Sequence, residues 1–418
     1  MPASFLLLLA AQFASALADN ALLIVTIDLL QQRAMPGWLA PMLKVAFIAA
    51  YVLLAPFVGP LADAVPKARL MTWMNAVKIC GVAALIAGVH PVTAFLVVGL
   101  GAAAYAPAKY GLATELVRPD QLVAANAWIE TAAVCAVLLG TGLGGALVSP
   151  WLREQVGHMV SGALDPMLPS LLILLAVYLL AGVLNLGVPD SGVRHQIESL
   201  HPRAMVRDFL RANRRLWGDR DGGLSLAVTT VFWGVGATLQ FAVLRWAREA
   251  MHLPLDRAAF MQAAVAVGVI AGAVAAGRWV PLCHARRMLY AGVVFGLLMI
   301  AVAFTTQLQV AVTLLIVVGA VGGLMVVPLN ALLQDRGNAL LSAGRSIAVQ
   351  GGNENTSVLV CLGLYSSLVA MDVSLVTLMA GLGVSVAAII AALLIQQRAH
   401  ERRAAAVHTD EWRAEAKA

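Results

Sequence analysis

The chain has 418 residues, of which 61% are hydrophobic and only 12% are charged, and its formal net charge is +6. Because soluble domains carry about 25% charged residues, this composition excludes an ordinary water-soluble fold. The basic balance does not indicate nucleic acid, since membrane proteins concentrate lysine and arginine in their cytoplasmic loops. The apolar runs are long and do not alternate with period two, so they predict membrane-spanning helices.

Twelve apolar runs are each long enough to cross a bilayer, which takes about 20 residues per helix. The first run lacks a basic leader and is long enough to span, so we interpret it as a helix and not as a cleaved signal peptide. The predicted spans cover residues 5–30, 40–62, 70–89, 92–113, 121–149, 169–188, 223–247, 258–280, 287–306, 309–333, 341–370 and 374–397.

The longest gap between spans divides the chain into six plus six helices. We therefore predict an all-α integral membrane protein of two six-helix bundles. Its parts are an N-terminal bundle (1–188), a cytoplasmic linker (189–222), a C-terminal bundle (223–397) and a cytoplasmic tail (398–418). If both termini and the linker face the cytoplasm, most lysines and arginines outside the spans lie on the inside, as expected for a bacterial inner-membrane protein.

A weak internal repeat supports two related halves. A glycine stands six residues before a proline at Gly101 and Pro107 and, 221 residues later, at Gly322 and Pro328. Each pair falls near the end of the fourth span of its half. Parallel six-helix repeats build the major facilitator architecture, in which the substrate site lies at mid-membrane between the halves.

The loop after the second span reads "GPLADAVPKAR" and resembles the major facilitator signature G-x-L-x-D-R-x-G-R-R. An acid at this position is suited to bond helix ends and basic partners, and so to favour one conformation of a transporter. An ordinary charged turn is the alternative interpretation. Ala64 and Pro66 replace the usual Arg and Gly, whereas the residues that match in kind are Gly59, Leu61, Asp63, Lys67 and Arg69.

Ionisable residues inside apolar spans indicate function more specifically than the signature loop does. A charge near the bilayer centre costs at least about 2.5–3.5 kcal/mol, so it faces a cavity or a partner. Each candidate has two interpretations, a substrate or gating role and a buried structural ion pair. The candidates are Asp19 with Asn20, Lys78, Lys109, Glu130, Arg345 and Glu354, with Gln240 and Arg245 near the end of span seven. Lys44 and Asp28 lie near span ends, where we expect them to snorkel.

The linker stretch 194–217 is basic and partly amphipathic. Its arginines are suited to meet anionic headgroups while five apolar residues lie on the membrane, namely Ile197, Leu200, Phe209, Leu216 and Trp217. A plain connector fits equally well. Enzyme and metal motifs are missing from the sequence: the four cysteines lack metal or CxxC spacing, and neither a catalytic elbow nor a phosphate loop occurs. We therefore expect neither an enzyme nor a bound cofactor or metal.

Several longer runs resemble the bacterial lysophospholipid transporter family. They are "AQFASALADNALL", "YVLLAPFVGPLAD", "GAAAYAPAKYG", "VVPLNALLQDRG" and "AVQGGNENTSVLV". These runs extend from the first span to the eleventh, so the resemblance covers nearly the whole chain. The Pro-Ala-Lys-Tyr-Gly and Pro-Leu-Asn-Ala-Leu-Leu-Gln runs are far more specific than the general facilitator signature.

The resemblance implies a flippase that moves lysophosphatidylethanolamine and lysophosphatidylglycerol from the outer to the inner leaflet of a Gram-negative inner membrane. It implies neither ATP nor an evident ion gradient as the driving force. In the inner leaflet, the resemblance implies, an acyltransferase restores the missing acyl chain of the lysophospholipid. Because this chain stops after a short polar tail, we expect any acyltransferase partner on the cytoplasmic side to be a separate protein.

The resemblance also implies the substrate site. The charged motif positions of the family fall on Asp19, Asn20, Lys109, Glu354 and Asn355, and Gln350 adds a neutral donor and acceptor. Family members carry arginine where this chain has Gln240. Arg245 is five residues further along, which turns a helix by about 140° net and raises it by about 7.5 Å. Whether Gln240 or Arg245 takes the arginine's role stays open.

Three other functions remain as alternatives. A proton-coupled facilitator would export amphipathic compounds, with Asp19 or Glu354 carrying the proton. A membrane scaffold without transport would recruit a soluble enzyme through its basic linker. An integral acyltransferase is disfavoured, because the His-x4-Asp motif expected of a phospholipid acyltransferase is missing.

Overall fold

The computed structural model describes residues 2–36, 39–149, 167–192, 201–249 and 255–415, and these ranges are helical without a strand. Two short 3-10 helices lie at Pro119–Gln121 and Leu282–Met288. The α-helices are α1 (Ala3–Gln32), α2 (Leu39–Ala64), α3 (Lys67–Ile86), α4 (Pro91–Leu116), α5 (Leu122–Leu147), α6 (Leu168–Leu186), α7 (Pro202–Gly218), α8 (Arg220–Glu249), α9 (Leu255–Trp279), α10 (Leu289–Ala303), α11 (Leu308–Leu340), α12 (Ala343–Ala370) and α13 (Leu375–Glu415).

Each predicted span corresponds to one helix, and α7 is an additional helix in the linker. In the described ranges, eleven helical segments are long and apolar enough to cross a membrane: α1 to α6, α8, α9, α10 together with the 3-10 helix that precedes it, α11 and α13. The twelfth span is α12, which is 28 residues long but carries Arg345, Gln350 and Glu354. Helices α11 and α13 continue well past the predicted ends of their spans, because a helix does not stop where its apolar run stops.

Among the described residues, four helix pairs form the most extensive contacts between the two halves of the sequence. Helix α12 packs on α2 and α4, and α5 packs on α9 and α11. Two pairs of glycines, Gly140 with Gly144 in α5 and Gly268 with Gly272 in α9, instead join helices within one half. An added Cβ at Gly144 would lie 2.8 Å from the carbonyl oxygen of Ala21 in α1, and one at Gly268 would lie 2.0 Å from that of Ile316 in α11. These glycines therefore permit close packing inside each half.

Prolines interrupt three of the spanning helices without ending them. Pro56 and Pro60 lie inside α2, Pro107 inside α4 and Pro328 inside α11. A proline inside a spanning helix is permitted because neighbouring helices and local adjustments satisfy the carbonyl groups that it leaves unbonded. The internal repeat thus places Pro107 and Pro328 inside the corresponding helices of the two halves.

Helix α7 packs against the protein with one face. Leu216 is fully buried and contacts a cluster that contains Leu226 of α8, Leu333 of α11 and Val349 of α12. Leu216 is therefore a core residue and does not lie on the membrane, which corrects that part of the interpretation from sequence. Of the other apolar residues of that pattern, Ile197 and Leu200 lie outside the described residues, Phe209 is half-buried and Trp217 is exposed.

Candidate functional site

A cavity of about 620 Å³ lies between helices from both halves of the sequence. Its wall combines apolar side chains, such as Leu23, Ile24 and Phe47, with charged and amide groups. This mixture suits a molecule that has both an apolar part and a charged part. The polar lining residues are Asp19, Asn20, Lys44, Tyr51, Lys109, Tyr110, Thr141, Gln240, Asn330, Gln350, Glu354 and Asn355.

On the α1 side, Asp19 is held by two partners from other helices. Lys78 Nζ of α3 lies 2.7 Å from Asp19 Oδ2, and the Tyr178 hydroxyl of α6 donates to Oδ1 over 2.7 Å. Lys78 also donates to Ser15 Oγ at 2.9 Å. The side chain of Lys78 is only 3% exposed, whereas that of Asp19 is 15% exposed and reaches the cavity. Lys78 is therefore a buried partner that compensates the charge of a cavity-facing acid.

Asn20 lines the cavity beside Asp19, and its amide is tied to its own helix. Its Nδ2 donates to the carbonyl of Ala16 at 2.8 Å. Asn355 of α12 makes the same kind of bond, from Nδ2 to the carbonyl of Gly351 at 2.8 Å. Each side-chain amide is thus fixed by a local bond, which leaves its carbonyl oxygen as the group offered to a ligand.

The α12 side of the cavity contains a short chain of amides that ends in an acid. Gln350 Nε2 donates to Asn330 Oδ1 of α11 at 2.9 Å and to Glu354 Oε1 at 2.8 Å. The Oε1 atom of Gln350 is buried and has no hydrogen-bond partner among the described residues. No cation lies within ion-pair distance of Glu354 in the described part of the chain. Glu354 thus differs from Asp19, whose charge is already compensated.

Lys44 of α2 reaches the cavity, which corrects the expectation that it snorkels. Its Nζ lies 3.5 Å from Oε1 of Gln240 in α8 and 5.2 Å from the ring centroid of Phe241. The spacing of residues along α2 is the sequence pattern that could have placed Lys44 at the cavity. Lys44, Phe47, Ile48, Tyr51, Ala55 and Val58 follow the spacing of one helix face, and all of them line the cavity.

Gln240 lines the cavity and Arg245 does not. The backbone carbonyl of Gln240 accepts a hydrogen bond from Gln262 of α9, and its side-chain Oε1 accepts one from Lys44. The cation nearest to the arginine position of the family therefore comes from α2 and not from further along α8. The five-residue offset explains why Arg245 is excluded, because it turns the side chain to another face of the helix.

Lys109 lines the cavity, whereas Glu130 is not among its lining residues. Lys109 Nζ lies 4.1 Å from the ring centroid of Tyr110, and among the described residues it forms no ion pair. Glu130 of α5 is buried and interacts electrostatically with Lys109, although the two side chains are not in contact. Lys109 is therefore a cavity-lining cation without a bonded counter-ion in the described part of the chain.

At one end of the bundle, called here the Asp63 end, Asp63 of α2 caps the first turn of α12. The side chain of Ser342 donates to Asp63, and the backbone amides of Gly344 and Arg345 donate to it at 2.9 and 3.2 Å. Asp63 is buried, and a carboxylate at a helix N-terminus is stabilised by the unpaired amides and the helix dipole. The α2–α12 contact therefore depends on one acid.

The same contact requires small residues. A Cβ added to Gly59 would lie 2.9 Å from Cβ of Ala348 and 3.0 Å from Cα of Arg345. A Cβ added to Gly344 would lie 2.6 Å from Oδ1 of Asp63. Glycine at both positions lets the backbones of α2 and α12 approach closely enough for the carboxylate to reach the helix end.

The basic residues of the signature loop do not pair with Asp63, contrary to one interpretation of the motif. Lys67 Nζ lies 2.8 Å from Oε1 of Glu115 in α4, as an ion pair without good hydrogen-bond alignment. Both side chains are buried, so this pair ties α3 to α4. Arg69 is exposed and forms no ion pair with any described residue. Arg345 contributes its backbone amide, while its half-buried side chain faces α7.

A pair of side-chain amides forms a second link between the two halves of the sequence. Asn126 of α5 and Gln334 of α11 exchange two side-chain hydrogen bonds of 2.8 and 3.0 Å, and both residues are buried. Arg336 of α11 also donates to Asp219, which follows α7, at 2.8 Å, and this guanidinium lowers the pKa of the Asp219 carboxyl. The first link joins α5 to α11 across the two halves, whereas the second joins α11 to the linker.

Comparisons with known proteins agree with this architecture. The family model described as the Major Facilitator Superfamily matches residues 5–349. The lysophospholipid transporter LplT of Yersinia pestis (strain Pestoides F) is 40% identical over 375 residues, which cover 89% of this chain and 88% of that one. The protein of the same name from Yersinia pseudotuberculosis serotype O:3 (strain YPIII) has the same identity and coverage.

Solved structures show the same fold at low sequence identity. A bacterial homologue of the iron transporter ferroportin, in an outward-facing state, has a TM-score of 0.72 with 15% identity, covering 95% of this chain and 100% of its own. The human organic anion transporter MFSD10 has a TM-score of 0.71 with 15% identity, over 93% of this chain and 100% of its own. At this identity the likeness concerns the fold alone.

Proposed function

The chain belongs to the major facilitator superfamily and, within it, to the bacterial lysophospholipid transporters, and we propose from this that it carries lysophospholipids across the membrane. The observation that supports the proposal most strongly is the cavity beside the Asp19 and Glu354 motifs, because its wall is both charged and apolar. A lysophospholipid has one acyl chain and a charged headgroup, so it needs both kinds of surface.

The headgroup binds among the charged residues of the cavity. Lys109 and Lys44 are cations suited to a phosphate, through charge-assisted hydrogen bonds. Glu354, whose carboxylate has no described cationic partner, is suited to an amine, and Asp19 offers only the edge that Lys78 and Tyr178 leave open. Asn20, Gln350 and Asn355 supply neutral donors and acceptors for the glycerol.

Transport follows from two arrangements of the bundles 1–188 and 223–397 around this cavity. The Asp63–α12 contact supports a state that is closed at the Asp63 end. Positive charge on the linker supports a cytoplasmic location for that end, in the bacterial inner membrane. We propose movement of lysophosphatidylethanolamine and lysophosphatidylglycerol from the outer to the inner leaflet, where a separate acyltransferase restores the second chain.

The test is import of labelled lysophosphatidylethanolamine into spheroplasts that lack their own lysophospholipid transporter. A blocked variant, Gly351→Leu, fills the cavity from α12, where the glycine lines the wall with open space before it. Gly363→Leu is its control, because it lies on the same helix with open space around it and outside the cavity. Import by the wild type and Gly363→Leu, and none by Gly351→Leu, supports the function. Equal import by cells with and without the protein contradicts it.

A proton-coupled exporter of amphipathic compounds is the second candidate. The observation that favours it is Glu354, a carboxylate at the cavity without a described cationic partner. An uncoupler separates the two functions, since it stops proton-coupled export and leaves gradient-independent lysophospholipid import unchanged. Glu354→Gln, which keeps the bond to Gln350 but cannot titrate, would then abolish the uncoupler's effect.

A further inference from the structure

The outer face of α7 combines basic and apolar side chains along one stripe. Leu210 and Trp217 are 58% and 42% exposed, although each is a large apolar residue. Arg203, Arg207 and Arg214 fall on the same face, because the spacing from Arg203 to Trp217 alternates between four and three residues. These three arginines are exposed, and none of them forms an ion pair with a described residue. The five residues are called here the basic stripe.

Helix α7 lies along the flank of the bundle and not below its ends. A Cβ added to Gly352 of α12 would lie 3.1 Å from Cζ of Phe209. Gly352 is nine residues beyond the start of α12, which corresponds to about 13.5 Å along the helix. Ala55 and Pro56 of α2 line the same small cleft as Phe209. The inward face of α7 is therefore held by protein, while the basic stripe faces outward.

We propose that the basic stripe binds the anionic phospholipid surface at the Asp63 end of the protein. An interfacial helix inserts its apolar side chains at the headgroup boundary and places its cations on phosphates. Leu210 and Trp217 supply the first contact, and the three arginines supply the second. The positive charge of the stripe is not neutralised within α7, because the acid of that helix, Asp208, already pairs with Arg211. A membrane is the occupant that satisfies both kinds of residue at once.

Binding at the basic stripe reaches the transport site through Asn353 of α12. Trp217 Nε1 donates to Asn353 Oδ1 at 3.2 Å, and Asn353 Nδ2 donates to Asn213 Oδ1 at 2.8 Å. The neighbouring residues Glu354 and Gly352 line the cavity. One turn of α12 thus contacts α7 on one side and the substrate cavity on the other. Anionic lipid that fixes α7 therefore also fixes this turn and raises the transport rate, a consequence that rests on the proposed function.

The binding step is tested on the full-length protein, without transport. Purified wild type and Arg203→Gln/Arg207→Gln/Arg214→Gln are exposed to phosphatidylglycerol and phosphatidylcholine in detergent, and retained lipid is counted by native mass spectrometry. Arg69→Gln/Arg278→Gln/Arg287→Gln is the matched control, because it removes three arginines that are exposed and, like those of the stripe, form no ion pair with a described residue. We expect a loss of phosphatidylglycerol retention of roughly tenfold or more in the stripe variant alone. Equal retention in the two triple variants overturns the proposal.

The coupling step is tested in vesicles of phosphatidylethanolamine with and without phosphatidylglycerol. Wild type should transport labelled lysophosphatidylethanolamine faster with the anionic lipid, and the stripe variant should not respond to it. Asn213→Ala should retain phosphatidylglycerol but lose the acceleration, since it removes the bond to Asn353. Acceleration that survives in both variants overturns the coupling. Absence of transport in every vesicle contradicts the proposed function, while the retention measurement still decides lipid binding.

Discussion

Asp63 of α2 accepts a 2.9 Å hydrogen bond from the backbone amide of Gly344, 281 residues away, at the first turn of α12. The bond joins the two halves of the sequence at the end where the α2–α3 loop lies. It relates one carboxylate to the unpaired amides of a helix N-terminus, an arrangement that is lost when the helices separate. The closed state of this end should therefore respond to changes in a single acid.

Asp63→Asn should open the Asp63 end. Loss of the negative charge at the α12 N-terminus weakens the cap by about 1–2 kcal/mol, which shifts the closed population roughly tenfold. The measurement is the labelling rate of Val58→Cys with an impermeant thiol reagent, because Val58 lines the cavity five residues before Asp63. The background is Cys80→Ser/Cys283→Ser, which removes the two exposed natural thiols. Arg69→Gln, which alters an exposed side chain of the same loop, should label like its parent. Equal labelling in all three proteins would show that the cap does not hold this end closed.

Gly59→Ala should weaken the same contact by a steric route. The added methyl group would lie 2.9 Å from Cβ of Ala348, so α2 and α12 must move apart. The control is Gly363→Ala in α12, where no atom lies within 4 Å and the change should favour the helix by up to about 1 kcal/mol. Thermal stability and transport are compared at equal expression. If both variants behave alike, close approach at Gly59 has no role.

Lys78→Met should destabilise the protein more than Asp19→Asn/Lys78→Met does. Removing one partner of a buried ion pair costs about 3–5 kcal/mol, whereas removing both charges leaves no uncompensated ion. Stability is followed by thermal unfolding in detergent. Asp19→Asn alone should insert normally and transport poorly, because Asp19 also reaches the cavity. Recovery of stability without recovery of transport in the double variant separates the structural role from the functional one.

Gln240→Arg should lower transport, because it places a second cation beside Lys44. Lys44→Gln should also lower it, and Lys44→Gln/Gln240→Arg should restore much of the activity by returning one cation to the same place. Initial rates at several substrate concentrations distinguish binding from turnover. Arg245→Gln is the comparison variant, and its apparent affinity should change by less than about threefold since Arg245 does not line the cavity. A larger loss in Arg245→Gln than in Lys44→Gln would contradict this assignment.

Lys109→Gln should reduce transport roughly tenfold, as expected for the loss of a charge-assisted bond to phosphate. Lys109→Glu should be worse, because it also repels the phosphate, and Lys109→Arg should keep part of the activity. Lys109 lies seven residues before the end of α4, or about 10 Å from the Asp63 end, which suits a headgroup leaving there. Rates are compared at matched membrane levels. Equal rates in the Gln and Glu variants would leave Lys109 without a phosphate-binding role.

Local patterns were sufficient to predict several features of this protein. The length of each apolar run determined the helices, because a span must satisfy its own backbone in lipid. The loop "GPLADAVPKAR" indicated that Asp63 contacts a helix end, and the runs around Asp19 and Glu354 indicated residues that line the cavity. These signals extend over one helix or one turn, so they are visible without knowledge of the neighbours.

Pairing between helices was decided only by the tertiary structure. Three acids and three bases inside the spans allowed many combinations, and distance alone selects Lys78 for Asp19. The pairing of Lys67, from the signature loop, with Glu115 of α4 was likewise visible only in the structure. The same holds for Lys44, which reaches the cavity because α2 turns that face toward α8, and for Arg245, which points elsewhere. Ion pairs act over a few ångströms, so their choice depends on how helices distant in sequence cross, and a linear chain does not contain that information locally.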